Sequence, residues 1–544
     1  MPTATDPGAL LRWRAELTAA ATEPLHANVP ALLAEAAAEV PHRVLLQMFE
    51  TGSSLTYAEL ERHSTHLARA LYARGVRAGA HVAVMLPNGV AWPITWFALL
   101  KLGAAVVPVN PGYTPRELAY VLGNAEVSAW VVAADQAAVA DRIDPWPPAL
   151  ARERVFACGG TPGDGSPWAA LLDEGAHHAL PALAAPTLRS PANIQYTSGT
   201  TGFPKGCVLG HGYWLNLARG AQMLHVAPMQ RFFTAQPFFY MDPFWQLLTT
   251  VRCRGTLVAA QKISGTRFLG WLAEHGIEWA QLPELALKSI ASVHGRPLAL
   301  KMVFTFGWSA ASRALFHERF APAVALEAFG MTEIGLGTAM PPGLPALAAA
   351  KPTSVGVAAL RREVRVVDPA GRPAATGQTG ELQVRGEHLF QGYFRQPDAN
   401  AAAFDGEWFR TGDAFVADAD GFVYLVGRFK DMIRRSGENI AAREVEAVVR
   451  LLPQVADCAA VPVPDAKRGE EVKILVQLQP GSTLDAAALV EHCRAHLAAF
   501  KLPRYVQFVA EFPRTSSNKI AKSAIAAAPG DPTAGCFDRD QAAT

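Results

Sequence analysis

The chain reads as a multi-domain α/β protein, and three features of its 544 residues say so. Between Leu32 and Val132, amphipathic stretches alternate with short β-rich runs, the pattern of parallel sheets covered by helices. From 351 to 427 this gives way to short β runs between Gly and Pro turns, which suits a small β-barrel-like subdomain. Half of the residues are hydrophobic, so a large buried core is feasible, and the length alone suggests about three or four domain-sized units.

Taken in order, Leu55-Thr56-Tyr57-Ala58-Glu59-Leu60-Glu61 opens a helix, with Thr56 as N-cap and Glu59 three residues on. A strand follows at Val82-Ala83-Val84-Met85-Leu86, closed by Pro87-Asn88. A second helix-to-strand step runs from Trp96 through Gly103 into Ala104-Ala105-Val106-Val107-Pro108-Val109. Residues 145 to 192 are rich in Pro, Gly and Ala and read as a loop-bearing connection. In the β region, Val364-Arg365-Val366-Val367 and Glu381-Leu382-Gln383-Val384-Arg385 are the clearest strands. Beyond Arg428 lies a compact portion of mixed helix and strand, and after Ala526 a tail of Ala, Gly, Pro and Asp has little to bury. The expected division is 1–427, then a smaller C-terminal domain at 428–526, then a flexible tail at 527–544. There is no internal repeat.

Composition removes several classes of function. With 49 basic against 48 acidic side chains there is no electrostatic footprint for nucleic acid, so a polyphosphate must be held locally. Apolar runs are broken well short of the ~20 residues that cross a bilayer. The start lacks the basic-then-apolar order of a secretory signal, and a cytoplasmic location is expected. Cys158, Cys207, Cys253, Cys458, Cys493 and Cys536 form neither a C-x-x-C pair nor a zinc pattern. Cys207 reads as a small apolar residue rather than a nucleophile.

The most informative stretch is Tyr196-Thr197-Ser198-Gly199-Thr200-Thr201-Gly202-Phe203-Pro204-Lys205-Gly206. Glycines let a backbone turn sharply and approach a ligand, so successive N–H groups converge on an anion while hydroxyls and a lysine add donors. This is a phosphate-holding loop. It is not the G-x-x-x-x-G-K-[ST] form, because its lysine follows Pro204 and no Ser or Thr comes next. The loop resembles the signature of the adenylate-forming superfamily of acyl-CoA synthetases, nonribosomal-peptide adenylation domains and beetle luciferases. Further motifs occur in that family's order. Glu327-Ala328-Phe329-Gly330-Met331-Thr332-Glu333 resembles the aromatic-Gly-x-Thr-Glu motif, and Trp408-Phe409-Arg410-Thr411-Gly412-Asp413 the Thr-Gly-Asp motif. Gly421 to Ile433 is similar to the hinge segment, and Pro513-Arg514-Thr515-Ser516-Ser517-Asn518-Lys519-Ile520 to the catalytic-lysine motif. The likeness spans about residues 30 to 525, and five ordered motifs make chance agreement negligible.

The resemblance implies a large N-terminal domain of two α/β subdomains plus the small β subdomain, and a mobile C-terminal α+β domain. It implies ATP, Mg2+ and CoA, and a carboxylic acid activated as its adenylate and then passed to the thiol. A carboxylate is a poor acyl donor, and joining it to AMP supplies the leaving group. Thr197, Ser198, Thr200, Thr201 and Lys205, with Gly199 and Gly202 shaping the loop, would hold the β and γ phosphates. Thr332 would touch the α-phosphate and Glu333 would ligand Mg2+, a hard cation suited to carboxylate oxygen. Phe329, where most relatives carry tyrosine, and Gly330 would lie beside adenine. Asp413 would accept from the ribose hydroxyls, whose vicinal pair matches two carboxylate oxygens, and Arg428 would add a ribose contact. Lys519 would be catalytic for adenylation, Lys430 the hinge, and Gly437 part of the pantetheine channel. Asn518 stands where the family has Gly, and Asn tolerates the turn.

The acyl pocket is implied to involve Gln236-Pro237-Phe238-Phe239-Tyr240-Met241-Asp242-Pro243-Phe244-Trp245 and the neighbourhood of Gly307-Trp308-Ser309. Many relatives place His at Tyr240 and Gly-Gly-Ala at 307–309. Bulky Phe239, Tyr240, Trp245 and Trp308 would shorten a tunnel and favour a small or aromatic acid. Asp242 among aromatics could instead hold a cationic head group, or serve as a turn carboxylate before Pro243. Two rivals stay open: a stand-alone adenylation enzyme loading a carrier protein, and a catalytically silent nucleotide-binding homologue. The reading allows a homodimer.

Overall fold

The computed structural model describes residues 7–159, 167–197, 204–284, 286–287, 293, 297–308, 310–428, 431–435, 438–497, 499–515 and 519–542. The chain divides into two compact units, one comprising Met1–Thr197, Pro204–Glu363 and Val384–Glu407, the other Val364–Gln383 and Trp408–Thr544.

The first unit begins with helices α1 (Pro7–Thr22) and α2 (Val29–Glu39), then the hairpin β1 (Val44–Met48) and β2 (Ser53–Thr56). Helix α3 (Tyr57–Ala73) starts as its sequence demands: the Thr56 hydroxyl accepts from the Glu59 N–H at 3.2 Å, and the Glu59 carboxylate accepts from the Thr56 N–H at 2.8 Å. Strands and helices then alternate through β3 (His81–Met85), α4 (Ala91–Lys101), β4 (Ala105–Pro108), α5 (Pro115–Asn124), β5 (Ala129–Ala133), β6 (Val155–Cys158), α6 (Pro167–His177), β7 (Pro191–Thr197) and β8 (Lys205–Gly210). They form a six-stranded sheet in the order β6-β5-β3-β4-β7-β8. Its pairs are parallel except β7–β8, which is an antiparallel hairpin. Trp130, Val132 and Val107 are buried in the layer beneath it.

Helix α7 (His211–Met223), β9 (Arg231–Thr234), α8 (Asp242–Arg252), β10 (Thr256–Ala259), β11 (Trp279–Gln281), β12 (Met302–Thr305), β13 (Val324–Met331), β14 (Gly335–Ala339) and β15 (Val357–Ala358) complete this unit's second sheet. Nine strands run β15-β14-β13-β12-β11-β9-β10-β1-β2. The middle of the sheet is parallel and its two ends antiparallel. Central parallel strands are covered on both faces, which is why they read as unbroken apolar runs such as Met302-Val303-Phe304.

The second unit contains most of a five-stranded sheet built from β16 (Arg362–Val367), β17 (Thr379–Gly386), β18 (Phe404–Asp405), β19 (Trp408–Ala417) and β20 (Val423–Arg428). It also contains a six-stranded sheet of β21 (Met432–Arg435), β22 (Glu438–Ala441), β23 (Val455–Asp465), β24 (Gly469–Leu478), β25 (Tyr505–Phe508) and β26 (Phe537–Asp538). Helices Ala442–Val449 and Ala486–His496 pack on the latter through Val445, Val449, Leu489 and Cys493.

Two expectations about organisation change. The boundary expected at 427/428 differs from the division into units, which keeps β19 and β20 together; they pair from Ala417 opposite Val423 to Asp413 opposite Arg428, with a register shift between Ala414 and Phe415. The tail expected to be flexible from 527 to 544 instead adds β26 to the edge of the sheet, pairing antiparallel with β25. Arg504 bonds Asp538 at 3.2 Å, and Phe537 packs against the core. One apolar residue and one acidic one suffice where a strand edge and an arginine wait for them. Among the described residues no helix is long and apolar enough to cross a membrane.

Candidate active site

In the first unit the β7–β8 hairpin holds the described ends of the phosphate-loop motif. Thr197 and Lys205 are register partners, and the Thr197 hydroxyl reaches the Lys205 carbonyl at 3.4 Å. Ser198, Gly199, Thr200, Thr201 and Gly202 lie outside the described residues. The stem is tied down on both sides: the Tyr196 hydroxyl donates to Asn124 Oδ1 at 2.6 Å, and Tyr120 to the Pro204 carbonyl at 3.1 Å. Gly206 is required, since a Cβ there would come within 2.8 Å of the Ile194 side chain. Cys207 is fully buried and its thiol pushed up by burial, in keeping with a packing role.

Phe329, Gly330, Thr332 and Glu333 fall on a second hairpin, β13–β14, whose return passes through Gly335 at φ +65°. The strands come so close that a Cβ on Gly330 would sit 2.6 Å from the Gly335 carbonyl. Taken alone, Thr332-Glu333 reads as the start of a helix; the fold makes it the turn of a hairpin. Phe329 is buried opposite Thr338. The Thr332 hydroxyl meets Met241 Sδ at 3.5 Å, linking this turn to the segment expected to line the acyl pocket.

Glu333 is 8% exposed, and its Oε1 accepts from the Tyr393 hydroxyl at 2.9 Å. The Lys205 ammonium lies 4.6 Å from the centroid of the same tyrosine ring. Lys205, Tyr393 and Glu333 therefore form one cluster, joining residues far apart in the chain. Sequence reasoning missed Tyr393. The signal that would reveal it is pairing rather than pattern: residues 390–394 run beside β8, with Cys207 bridged to Tyr393 and the Phe394 N–H donating to the Gly206 carbonyl at 2.8 Å. Burial, followed by the Glu333 charge, pushes the Tyr393 phenol well up, so it stays a donor.

The acyl segment is fixed by two buried amides. The Gln195 side chain donates to the Phe239 carbonyl at 2.9 Å. Asn88 accepts from the Phe238 N–H at 2.8 Å and donates to the Gln236 carbonyl at 3.0 Å. Phe239 and Tyr240 are half-buried, their rings 4.6 Å apart. Asp242 sits in the first turn of α8 and accepts from the Trp245 indole N–H at 3.1 Å, which suits a helix-start carboxylate. Trp245 is buried against Trp279 at 5.6 Å and Phe304 at 5.9 Å, and beside it Gln246 donates to Gln281 at 2.7 Å.

Trp308 departs from expectation. It is 4% exposed, packs on Phe316 at 5.7 Å and donates its indole N–H to the Leu282 carbonyl at 3.1 Å. The left-handed Gly307 (φ +74°) turns the chain so that Trp308 enters the same core as Val303. Phe306, 42% exposed, is the aromatic this turn presents. The same turn is held by Glu327, the first residue of the Thr-Glu motif segment, to which the sequence assigned no role: it accepts from the Thr305 hydroxyl at 2.7 Å, from Arg313 at 2.9 Å and from the Gly307 N–H.

In the second unit Asp413 and Arg428 are cross-strand partners, ion-paired at 3.1 Å, with Asp413 buried and Arg428 half-exposed. The Thr411 hydroxyl shapes the approach, accepting from the Asp413 N–H at 3.1 Å and donating to the Leu382 carbonyl at 2.7 Å. Lys519 is exposed, its carbonyl accepts from the Thr515 N–H at 2.8 Å, and Arg514 bridges to Ile520 beside it. Lys430 and Gly437 lie outside the described residues.

Against known proteins, residues 33–394 match the family described as AMP-binding enzyme, and residues 444–519 the AMP-binding enzyme C-terminal domain. The chain is 31% identical to a sulfoacetate–CoA ligase of Cupriavidus necator, over 92% of this chain and 98% of that one. It is 31% identical to a feruloyl-CoA synthase of Amycolatopsis, over 87% and 94%. It superposes on ATP-bound MatB of Rhodopseudomonas palustris with a TM-score of 0.78 at 26% identity, covering 92% and 98%. The chain belongs to the AMP-binding enzyme family. Within it, this protein is an AMP-forming acid–thiol ligase that uses ATP and CoA.

Proposed function

We propose that the acid it activates is compact, a short or single-ring carboxylic acid rather than a long fatty chain. One observation carries this: Trp245, Trp279 and Phe304 fill the interface between α8 and the sheet beside the Phe239–Tyr240 segment. The names of two relatives agree, since sulfoacetate is short and ferulate is aromatic. The Trp245 indole N–H engages Oδ1 of Asp242 and suits a carboxylate at a helix start, without removing its charge.

In this reading the acid's carboxylate oxygen attacks the α-phosphorus of ATP and the bond to the pyrophosphate oxygen breaks. The CoA thiolate then attacks the acyl carbon, and the bond to AMP breaks. Thr197 and Lys205 hold phosphate, Thr332 approaches the α-phosphate, and Lys519 stabilises the oxyanions that build up during the first step. Phe329 and Gly330 flank adenine, while Asp413 and Arg428 hold the ribose. Glu333 suits Mg2+: it is a hard carboxylate anchored at Oε1 by the Tyr393 hydroxyl without loss of its charge, and it would be the residue that holds the ion. When bound, that ion would supply charge neutralisation on the phosphate oxygens. A homodimer and a cytoplasmic address, both expected from the sequence, stand as proposals, to be read by sedimentation and by cell fractionation.

A panel of acids, scored by AMP release with and without CoA, tests the substrate class. Short and single-ring acids should give CoA-dependent turnover, and preference for a long-chain acid would refute the reading. Turnover supported by a carrier protein and not by CoA would refute the thiol assignment.

A further inference from the structure

We infer that Tyr393 is a positioning residue of the adenylation site, holding the Glu333 carboxylate in place and keeping it from pairing with Lys205. The inference rests on the reading of Glu333 as the Mg2+ ligand. Tyr393 joins the two groups through opposite ends of one side chain, its ring lying under the Lys205 ammonium and its hydroxyl donating to Glu333. Lys205 and Glu333 form no ion pair with each other. A phenol can fix a carboxylate without neutralising it, whereas a lysine on the same carboxylate would cancel the charge that a divalent cation needs and remove a donor from the phosphates. Tyr393 is built to do both.

The backbone that carries Tyr393 is held from three directions. Its N–H donates to Asn400 Oδ1 at 2.6 Å, and its carbonyl accepts from Asn400 Nδ2 at 2.9 Å, so a single amide clamps the backbone. Gly392 has φ +120°, and a Cβ there would sit 3.0 Å from that same amide oxygen. Its neighbours pair with β8: Val208 N–H donates to the Gly392 carbonyl at 3.0 Å, and Gln391 N–H to the Val208 carbonyl at 2.8 Å. The Phe390 N–H donates to the Glu333 carbonyl at 2.9 Å, tying the same segment to the other hairpin. This short stretch of chain therefore sets the separation between the phosphate-loop hairpin and the Thr332-Glu333 hairpin, and Tyr393 is the side chain that reads it out.

The test is calorimetric binding of a nonhydrolysable ATP analogue to the full-length protein, with Mg2+ and with EDTA, for wild type, Tyr393→Phe, Tyr393→Leu and Glu333→Gln. Tyr393→Phe keeps the ring under Lys205 and frees only the carboxylate, so it should bind the Mg2+ complex about tenfold more weakly and the metal-free analogue as wild type does. Tyr393→Leu, confirmed as folded by its melting curve, should weaken the metal-free analogue as well, because Lys205 loses its seat. In pyrophosphate exchange, Tyr393→Phe should need more Mg2+ for half-maximal rate. Wild-type Mg2+-complex affinity in Tyr393→Phe, or equal weakening with and without metal, overturns the proposal while leaving the Glu333 reading intact. A Glu333→Gln protein with undiminished Mg2+ dependence overturns the metal-ligand reading, and the proposal with it.

Discussion

At the scale of single residues, the chemistry is spread over groups that the sequence names and groups that it hides. Thr332, Glu333 and Asp413 were legible because each sits in a short ordered motif, and the fold puts them at a hairpin turn and on a buried cross-strand pair. Tyr393 was not legible, because a lone tyrosine carries no spacing signal until its partner arrives from elsewhere in the chain, and the bonds made by Glu327 and Asn88 could not be read from their places in the sequence. Lys519 is exposed next to the Arg514–Ile520 bridge. Lys519→Ala should therefore cripple adenylation while leaving thioester formation from supplied acyl adenylate largely intact, with melting unchanged. Rapid-quench assays of the two half-reactions check this, and equal loss of both would end the division of labour.

At the scale of elements, local rules succeeded where the signal was local. The capping box at Thr56 and Glu59 formed as read, since its bonds lie within three residues, and the strand expected at Val82–Leu86 formed at His81–Met85, its apolar run being a local signal. The Thr332-Glu333 turn shows the opposite case: residues that could start a helix become a hairpin because Gly330 and Gly335 permit close strand approach. In the proposed reading, helix α8 is the element that limits the length of the acid. Its Trp245 is 4% exposed and wedged against β11 and β12. Trp245→Ala should admit a longer acid, raising kcat/KM for a medium-chain substrate relative to the short one, at a stability cost of about 3–5 kcal/mol. Side-by-side acid profiles and denaturant melts read both effects.

At the scale of the whole molecule, buried charge and buried neutral polar groups set the conditions of stability. In the second unit, Glu471 is fully buried and held by Arg435 at 2.7 Å and Arg468 at 2.9 Å, an arrangement that tolerates loss of neither partner. In the first unit, burial lowers His211 and His225 from the usual 6.5 to about 4. His211 is kept neutral while its Nδ1 accepts from the Val29 N–H at 3.2 Å. Above pH 6.5 both rings are neutral whether the chain is folded or not. Below it the unfolded chain takes up protons that the folded one refuses, so stability falls as pH drops from 6.5 to 4, by at most roughly 3 kcal/mol per histidine. Urea midpoints between pH 7 and 5 should decline, and His225→Gln should flatten the slope. A flat wild-type profile would contradict the neutral buried state.

The sequence by itself determined the α/β class, the ordered motifs and the family they define, because these depend on residue type, short spacing and local hydrogen bonding. Only the tertiary structure decided that residues 390–394 lie along β8, that Trp308 turns into the core while Trp245 seals α8 on the sheet, and that the last residues complete a sheet edge. Those outcomes rest on strand register and on contacts between residues remote in sequence, and such contacts exist only once the chain has closed on itself.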